Sequence, residues 1–151
     1  MQLSGALRLS FPNEGASAVA TLLYEKAPST CDGIARRCPI SGMSHHAIYS
    51  GSECVLILPE LIKLEPENST VTVTRGDVAF TWMRAGSSYG VTADFAEICW
   101  FYDFDAQPRM SEGPVPVSIL AQILEPAEEF YMVCRRMRRD GVKPFTVEFI
   151  R

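Results

Sequence analysis

Met43–Gly51, "MSHHAIYSG", holds both histidines of the 151-residue chain, side by side. A single imidazole is a general base or a hydrogen-bond donor near neutral pH. Two that share a face can bind a metal. In a strand, neighbouring side chains point to opposite faces, so His45 and His46 are expected to face apart. At most one then reaches a given pocket, and with no HxH spacing no metal is expected at this pair. The plain alternative is two partly exposed strand histidines.

A second constellation is "EICWFYDFDAQPRMSEGPVP". Here Trp100 and Tyr102 fall on one strand face, with Cys99, Phe101 and Asp103 on the other. Trp82 lies on another expected strand. Aromatics of this kind fill a barrel core or wall an apolar pocket. Asp103 and Asp105 lack the glycine and closing glutamate of a calcium loop. "RGDV" at 75–78 fits a turn before a strand, because Gly-Asp is turn chemistry. The basic cluster "CRRMRRDG" ends a helix that opens with Glu128 and Glu129, which complements the helix dipole. No Walker loop, GxSxG or GxGxxG occurs.

Five cysteines stand at positions 31, 38, 54, 99 and 134, an odd number with no CxxC. That spacing argues against a disulfide framework or a zinc ribbon. Most of them read as small buried hydrophobes in a reducing cytoplasm. Cys31 and Cys38 sit two helical turns apart, about 10 Å along the axis, too far to bridge within a helix.

These residues need elements to hold them. "LRLSF" and "ASAVATLLYE" flank the turn "PNEG" and read as a hairpin. "APSTCDGIARRCP" reads as a helix capped by Ser29 or Thr30 and running to Cys38. "SHHAIYS", "ECVLILP", "STVTVT", "DVAFTWM", "EICWFYDF" and "PVSILAQIL" read as strands separated by turn signals. A second helix opens at Glu125-Pro126, buries Phe130, Val133, Cys134 and Met137, and stops at Gly141. "KPFTVEFIR" is the last strand. The whole chain, 1–151, reads as one domain.

Composition narrows the function. Hydrophobic residues make up 47% and the net charge is −4. That balance argues against nucleic acid as a partner. No apolar run approaches the roughly 18 residues that span a bilayer, and no secretory signal opens the chain. A cytoplasmic protein is expected.

The order of elements resembles the cyclophilins. The strand "VATLLYE" leads into Glu25-Lys26, then Pro28-Ser29-Thr30, then a helix to Cys38 and Gly42. "SHHAIYSG" falls where cyclophilins carry their Phe-His-Arg strand. Over nearly its whole length the chain is similar to bacterial cyclophilin-like proteins of unknown function. The segments that carry this are "APSTCDGIARRCP", "HHAIYSGSE", "RGDVAFTW", "DFAEICWFYDFDAQPRMSEGPVPV" and "FYMVCRRMRRDG".

The resemblance implies a mostly β fold: a closed barrel of about eight antiparallel strands with two helices covering its ends. It does not carry prolyl isomerase activity. The cyclophilin arginine position falls on His46, and "SECVLIL" replaces the following glycine-rich segment. An imidazole is a poorer, pH-dependent donor than a guanidinium.

Three functional readings follow. The first is a binding module for a small molecule or extended peptide, with His46, Trp82, Arg84, Trp100 and Tyr102 lining a barrel-face groove and His46 nearer to it than His45. The second is a divergent enzyme, either a weak prolyl isomerase or a small-molecule enzyme using His46 as its acid–base group. The third is a structural homo-oligomer using "DAQPRMSEGPVP" as an arm. No cofactor is expected in any of them.

Overall fold

The computed structural model describes residues 4–151. Short apolar–polar alternations dominate the sequence, and the fold is accordingly mostly β, with eight antiparallel strands closed into a barrel. The chain runs β1 (Ala6–Phe11), β2 (Ala16–Leu22), α1 (Pro28–Ala35), β3 (Ile40–His46) and β4 (Glu53–Ile57). It continues through β5 (Ser69–Thr70), β6 (Asp77–Met83), β7 (Phe95–Phe101), β8 (Arg109–Met110) and β9 (Gly113–Pro114). It ends with β10 (Val117–Ile123), α2 (Glu128–Asp140) and β11 (Lys143–Ile150). Around the barrel the order is β2-β1-β11-β3-β4-β7-β6-β10, and β10 pairs back onto β2. Closure removes the exposed strand edges of an open sheet.

The inward face of each strand supplies the core. Leu7, Leu9 and Phe11 alternate inward on β1, and Ile98 and Trp100 do so on β7. Trp100 stacks on Phe145 with ring centroids 4.3 Å apart, and Phe11 meets Phe145 edge-on. The stripe Phe130, Val133, Cys134 and Met137 of α2 covers this cluster. The Trp100 indole N–H donates to Cys134 Sγ at 3.3 Å, which satisfies its polar atom inside the core.

A second, smaller apolar layer lies on the outside of the sheet. Val55, Ala79, Cys99, Phe101, Val117 and Ile119 are buried there beneath Leu23, Ala47, Val73 and Ala106. Loops rather than a helix cover this part of the barrel's outer surface.

Several boundaries differ from the sequence reading. Helix α1 ends at Ala35, and Cys38 lies beyond it, half-buried. Its N-cap is Ala27, with no side-chain cap. Glu67 does that work from elsewhere in the chain: its carboxylate accepts from Ser29 N, Thr30 N and Thr30 Oγ1. A long-range carboxylate thus replaces the local hydroxyl cap. Helix α2 starts at Glu128, two residues after Pro126.

"STVTVT" contributes only Ser69–Thr70 to the sheet, because Thr72 N turns back to Thr70 Oγ1. Strand β3 stops at His46, and 47–52 is a loop. Gly51 makes that loop possible. Its φ is 75°, and a Cβ there would lie 2.3 Å from the Asp105 carbonyl oxygen, so only glycine allows the close approach. Within the segment 105–116, Arg109–Met110 and Gly113–Pro114 pair as the β8–β9 hairpin.

Candidate functional site

The face alternation of β3 decides where the histidines go. His45 pairs with Val55 and His46 with Cys54. Val55 belongs to the outer apolar layer and Cys54 to the inner core, so the two imidazoles face apart as their spacing predicts.

They are not equivalent. His46 turns toward the inner face. Its Nδ1 is 2.8 Å from the Ala47 carbonyl oxygen and its Nε2 is 2.6 Å from Tyr102 Oη. A carbonyl only accepts, so Nδ1 carries the proton, and the Tyr102 hydroxyl donates to Nε2. Both ring nitrogens are therefore engaged within the protein. Burial lowers the pKa of both histidines and raises that of Tyr102 to about 12. All three groups are neutral at neutral pH.

On the outer face, β3, β4 and β7 border a cavity of about 440 Å³. Val55 and Ile57 of β4, Phe95 of β7, Val91, Tyr49, Ile48, Tyr89 and Met110 supply most of its wall. His45, His46, Glu53, Glu97 and Arg109, with the phenols of Tyr49 and Tyr89, supply its charged and titratable groups. The 47–52 loop borders it through Ala47, Ile48, Tyr49 and Ser50, and two further loops do so: 84–94 through Tyr89 and Val91, and the β8–β9 hairpin through Arg109 and Met110. Glu112 ties them together, accepting from Tyr89 N at 2.9 Å and from the Ser88 hydroxyl.

The polar heart of the cavity is a pair of carboxyls. Glu53 pairs with Phe101, Val55 with Cys99, and Ile57 with Glu97. Glu53 and Glu97 thus sit on either side of the Val55–Cys99 step. Their side chains lean over it, so that carboxyl oxygens and Cys99 Sγ lie within 4.8 Å of one another. Glu53 is buried, at 4% exposure. Burial raises its pKa, while hydrogen bonds from Ser50 and Cys99 work against that rise.

Glu97 is pushed up to about 8, by burial first and by the neighbouring Glu53 charge second. Two close carboxyls in an apolar setting cannot both ionise cheaply. The pair therefore holds a proton on Glu97 at neutral pH. Burial also drives the Cys99 thiol well above its ordinary range, and it donates to the Ala79 carbonyl at 3.8 Å. Glu53, Glu97 and Cys99 are the group whose donor atoms converge as metal ligands would.

The residues singled out in the sequence scatter. His46 borders the cavity, and Tyr102 supports it from the core side. Trp100 is entirely buried in the inner core and lines no groove, which corrects the reading of it as a wall. The alternation of β7 turns it inward, onto Phe145 and under α2. Trp82 and Arg84 lie away from the cavity. Trp82 borders a small hollow with Leu64 and Pro116, flanked by the Lys63 and Arg84 cations. His45 stands on the outer face of the sheet with Val55 and borders the cavity as His46 does, so the expectation that at most one histidine reaches a given pocket is corrected. Glu53 and Glu97 carried no signal on their own, since each is one glutamate in an apolar strand.

Residues 9–149 match the family described as "Protein of unknown function (DUF3830)". The chain belongs to that family. No curated protein matches it. Among solved structures it is similar to the hypothetical protein AF2241 from Archaeoglobus fulgidus, with TM-score 0.62 and 23% identity over 98% of this chain and 96% of that one. It is also similar to McbB, solved in complex with tryptophan, with TM-score 0.62 and 11% identity over 94% of this chain and 44% of McbB. At these identities the likeness concerns the fold. Among the described residues, no helix is long and apolar enough to cross a membrane.

Proposed function

We propose that this DUF3830 protein is a binding module that holds a small organic molecule in the cavity between β3, β4, β7 and the two stitched loops. One observation carries the reading: a cavity of about 440 Å³ with apolar walls and a few converging polar groups. Small-molecule sites run from about 300 to 1,000 Å³ and have that make-up. The cyclophilin-like order of elements belongs to this proposal as a scaffold, without isomerase chemistry. A cytoplasmic location and self-association remain part of the same proposal, the first from cysteine usage and the second from the frequency of symmetric dimers.

A thermal-shift screen of metabolite-sized compounds and dipeptides tests it. Tryptophan, the compound bound in the McbB structure, belongs in the panel. Compounds that raise the Tm of the wild-type chain are expected to lose their effect in Ile57→Trp, which fills the cavity. Hits that act equally on both would place binding elsewhere and overturn the reading.

A second reading is an acid–base enzyme. It is favoured by Glu97, whose proton is held to about pH 8 in the cavity, the range a general acid or base needs. In this reading Glu97 replaces His46 as the working group, because both His46 nitrogens are already engaged. Incubating a bound compound with wild type and with Glu97→Gln tests it. Product formed by the wild type alone, with binding kept by the variant, supports the enzyme; no product from either removes it.

A further inference from the structure

We infer that the cavity selects a small apolar molecule bearing a protonated amine, which is seated between the Glu53 and Glu97 carboxyls. This rests on the small-molecule cavity proposed above and names the chemistry of its ligand.

Two carboxyls converge in the cavity, and only one has protein partners. Glu53 has the Ser50 hydroxyl and the Cys99 thiol beside it, and both oppose the rise in its pKa that burial causes. The Glu97 carboxyl makes no hydrogen bond or ion pair to any described residue, although it is largely shielded and borders the cavity. A shielded carboxyl without a partner is costly unless something outside the chain supplies donors. An ammonium supplies three donors and one positive charge. The apolar walls at Val55, Ile57 and Phe95 require an organic body attached to that charge, since a bare ion leaves them uncovered.

A metal ion fits less well. The third donor it would recruit, Cys99, is fully buried, and its thiol already points at the Ala79 carbonyl.

The other charged and titratable groups are compatible with this occupant. His45 and His46 are held neutral by burial. Arg109 carries the one permanent positive charge on the lining, and its guanidinium donates to Gln107 Oε1 at 2.8 Å.

Proton balance gives the inference its signature. Below about pH 8 the empty site holds a proton on Glu97. An ammonium arriving beside it favours the ionised carboxylate, so binding releases that proton to solvent. Amine affinity then climbs about tenfold per pH unit up to about pH 8 and levels off above it.

The test is calorimetric titration of the full chain with phenethylamine, 2-phenylethanol and phenylacetate from about pH 6 to about pH 9, in buffers of different ionisation enthalpy. Phenethylamine is expected to bind at least tenfold more tightly than 2-phenylethanol at about pH 8, with release of close to one proton at about pH 7. Glu97→Gln, which copies the protonated acid in shape, is expected to bind the alcohol like wild type. It should lose both the preference for amine and the proton release. Glu97→Asp, which keeps the acid but withdraws it by one methylene, should weaken amine binding and retain the proton release.

Equal binding of amine and alcohol overturns the inference and leaves the small-molecule cavity standing. Tightest binding of phenylacetate overturns it in favour of Arg109 as the selecting group. Failure of all three compounds to bind, while other molecules in the thermal-shift screen do, also overturns it. So does cobalt(II) giving a thiolate charge-transfer band that Cys99→Ser abolishes, which makes the site a metal centre. Failure of the cavity reading itself is read separately, from screen hits that ignore Ile57→Trp.

Discussion

Strand β7 has two faces with opposite fates. Inward it presents Ala96, Ile98 and Trp100, all fully or nearly fully buried, packed on aromatic neighbours and closed over by α2. Outward it presents Phe95, Glu97, Cys99 and Phe101. Phe101 and Cys99 are sealed under loops, whereas Glu97 stands where that cover gives way to the cavity. The inner face satisfies its one polar side-chain group, the Trp100 indole, within the core. The outer face leaves a carboxyl without a protein partner. The same seven residues thus build a finished core on one side and an unfinished polar site on the other, and the unfinished side is the one that can recognise something.

The largest effect should come from breaking the inner face. Trp100→Ala removes a buried indole stacked on Phe145, and we expect a loss of about 3–5 kcal/mol in denaturant unfolding. A loss below 1 kcal/mol would mean the inner face is not the sealed core described.

The outer face should behave in the reverse sense. The unfolded pKa of Glu97 is 4.5 and its folded value about 8. A carboxyl raised on folding costs nothing below pH 4.5, where both states are protonated. Its cost grows as pH rises through that value and is complete near pH 8. By linkage a rise from 4.5 to about 8 corresponds to roughly 5 kcal/mol once complete. Glu97→Gln should therefore stabilise the protein by up to that amount at pH 8, less the cost of its own unpartnered amide, and should not stabilise it at pH 4. Equilibrium unfolding at the two pH values reads the difference.

At the junction of the two faces, Tyr102→Phe removes the hydroxyl that donates to His46 Nε2. The neutral imidazole loses support, so the His46 pKa should rise toward its ordinary 6.5. The expected stability loss is about 1 kcal/mol. A histidine-resolved NMR titration follows the pKa, and no upward movement would contradict the tautomer assigned to His46.

The smallest effect belongs to the exposed ion pairs. Arg135 and Asp103 make two hydrogen bonds at 2.9 and 3.1 Å, yet both are substantially exposed. Arg135→Ala should cost no more than about 1 kcal/mol.

Much of the barrel was legible because alternation is a local signal. Strands β1, β2 and β11 follow runs whose apolar residues recur at every second position, β4, β6, β7 and β10 follow short apolar runs bounded by turn signals, and α2 follows its stripe from Phe130 to Met137. What alternation does not give is phase. "EICWFYD" separates Trp100 from Glu97 and Cys99 but does not say which set faces the barrel axis. A groove wall at Trp100 needs the opposite phase to the one the closed barrel adopts.

The carboxyl pair was illegible for a related reason. Glu53 and Glu97 are brought together by the register that sets Val55 against Cys99. A shift of one residue would turn one partner to the other face. Register is fixed by closure of the whole barrel, which no short stretch reveals. The histidines drew attention by their chemistry, and their neighbourhood, rather than they themselves, holds the unpartnered group.

The most direct measurement is a carbon-detected NMR titration of the Glu97 side-chain carboxyl in the folded, ligand-free protein. A cavity that shields Glu97 beside Glu53 predicts a midpoint at about 8. A midpoint near the ordinary 4.5 would contradict the account, because it would mean that Glu97 is an ordinary solvated surface glutamate.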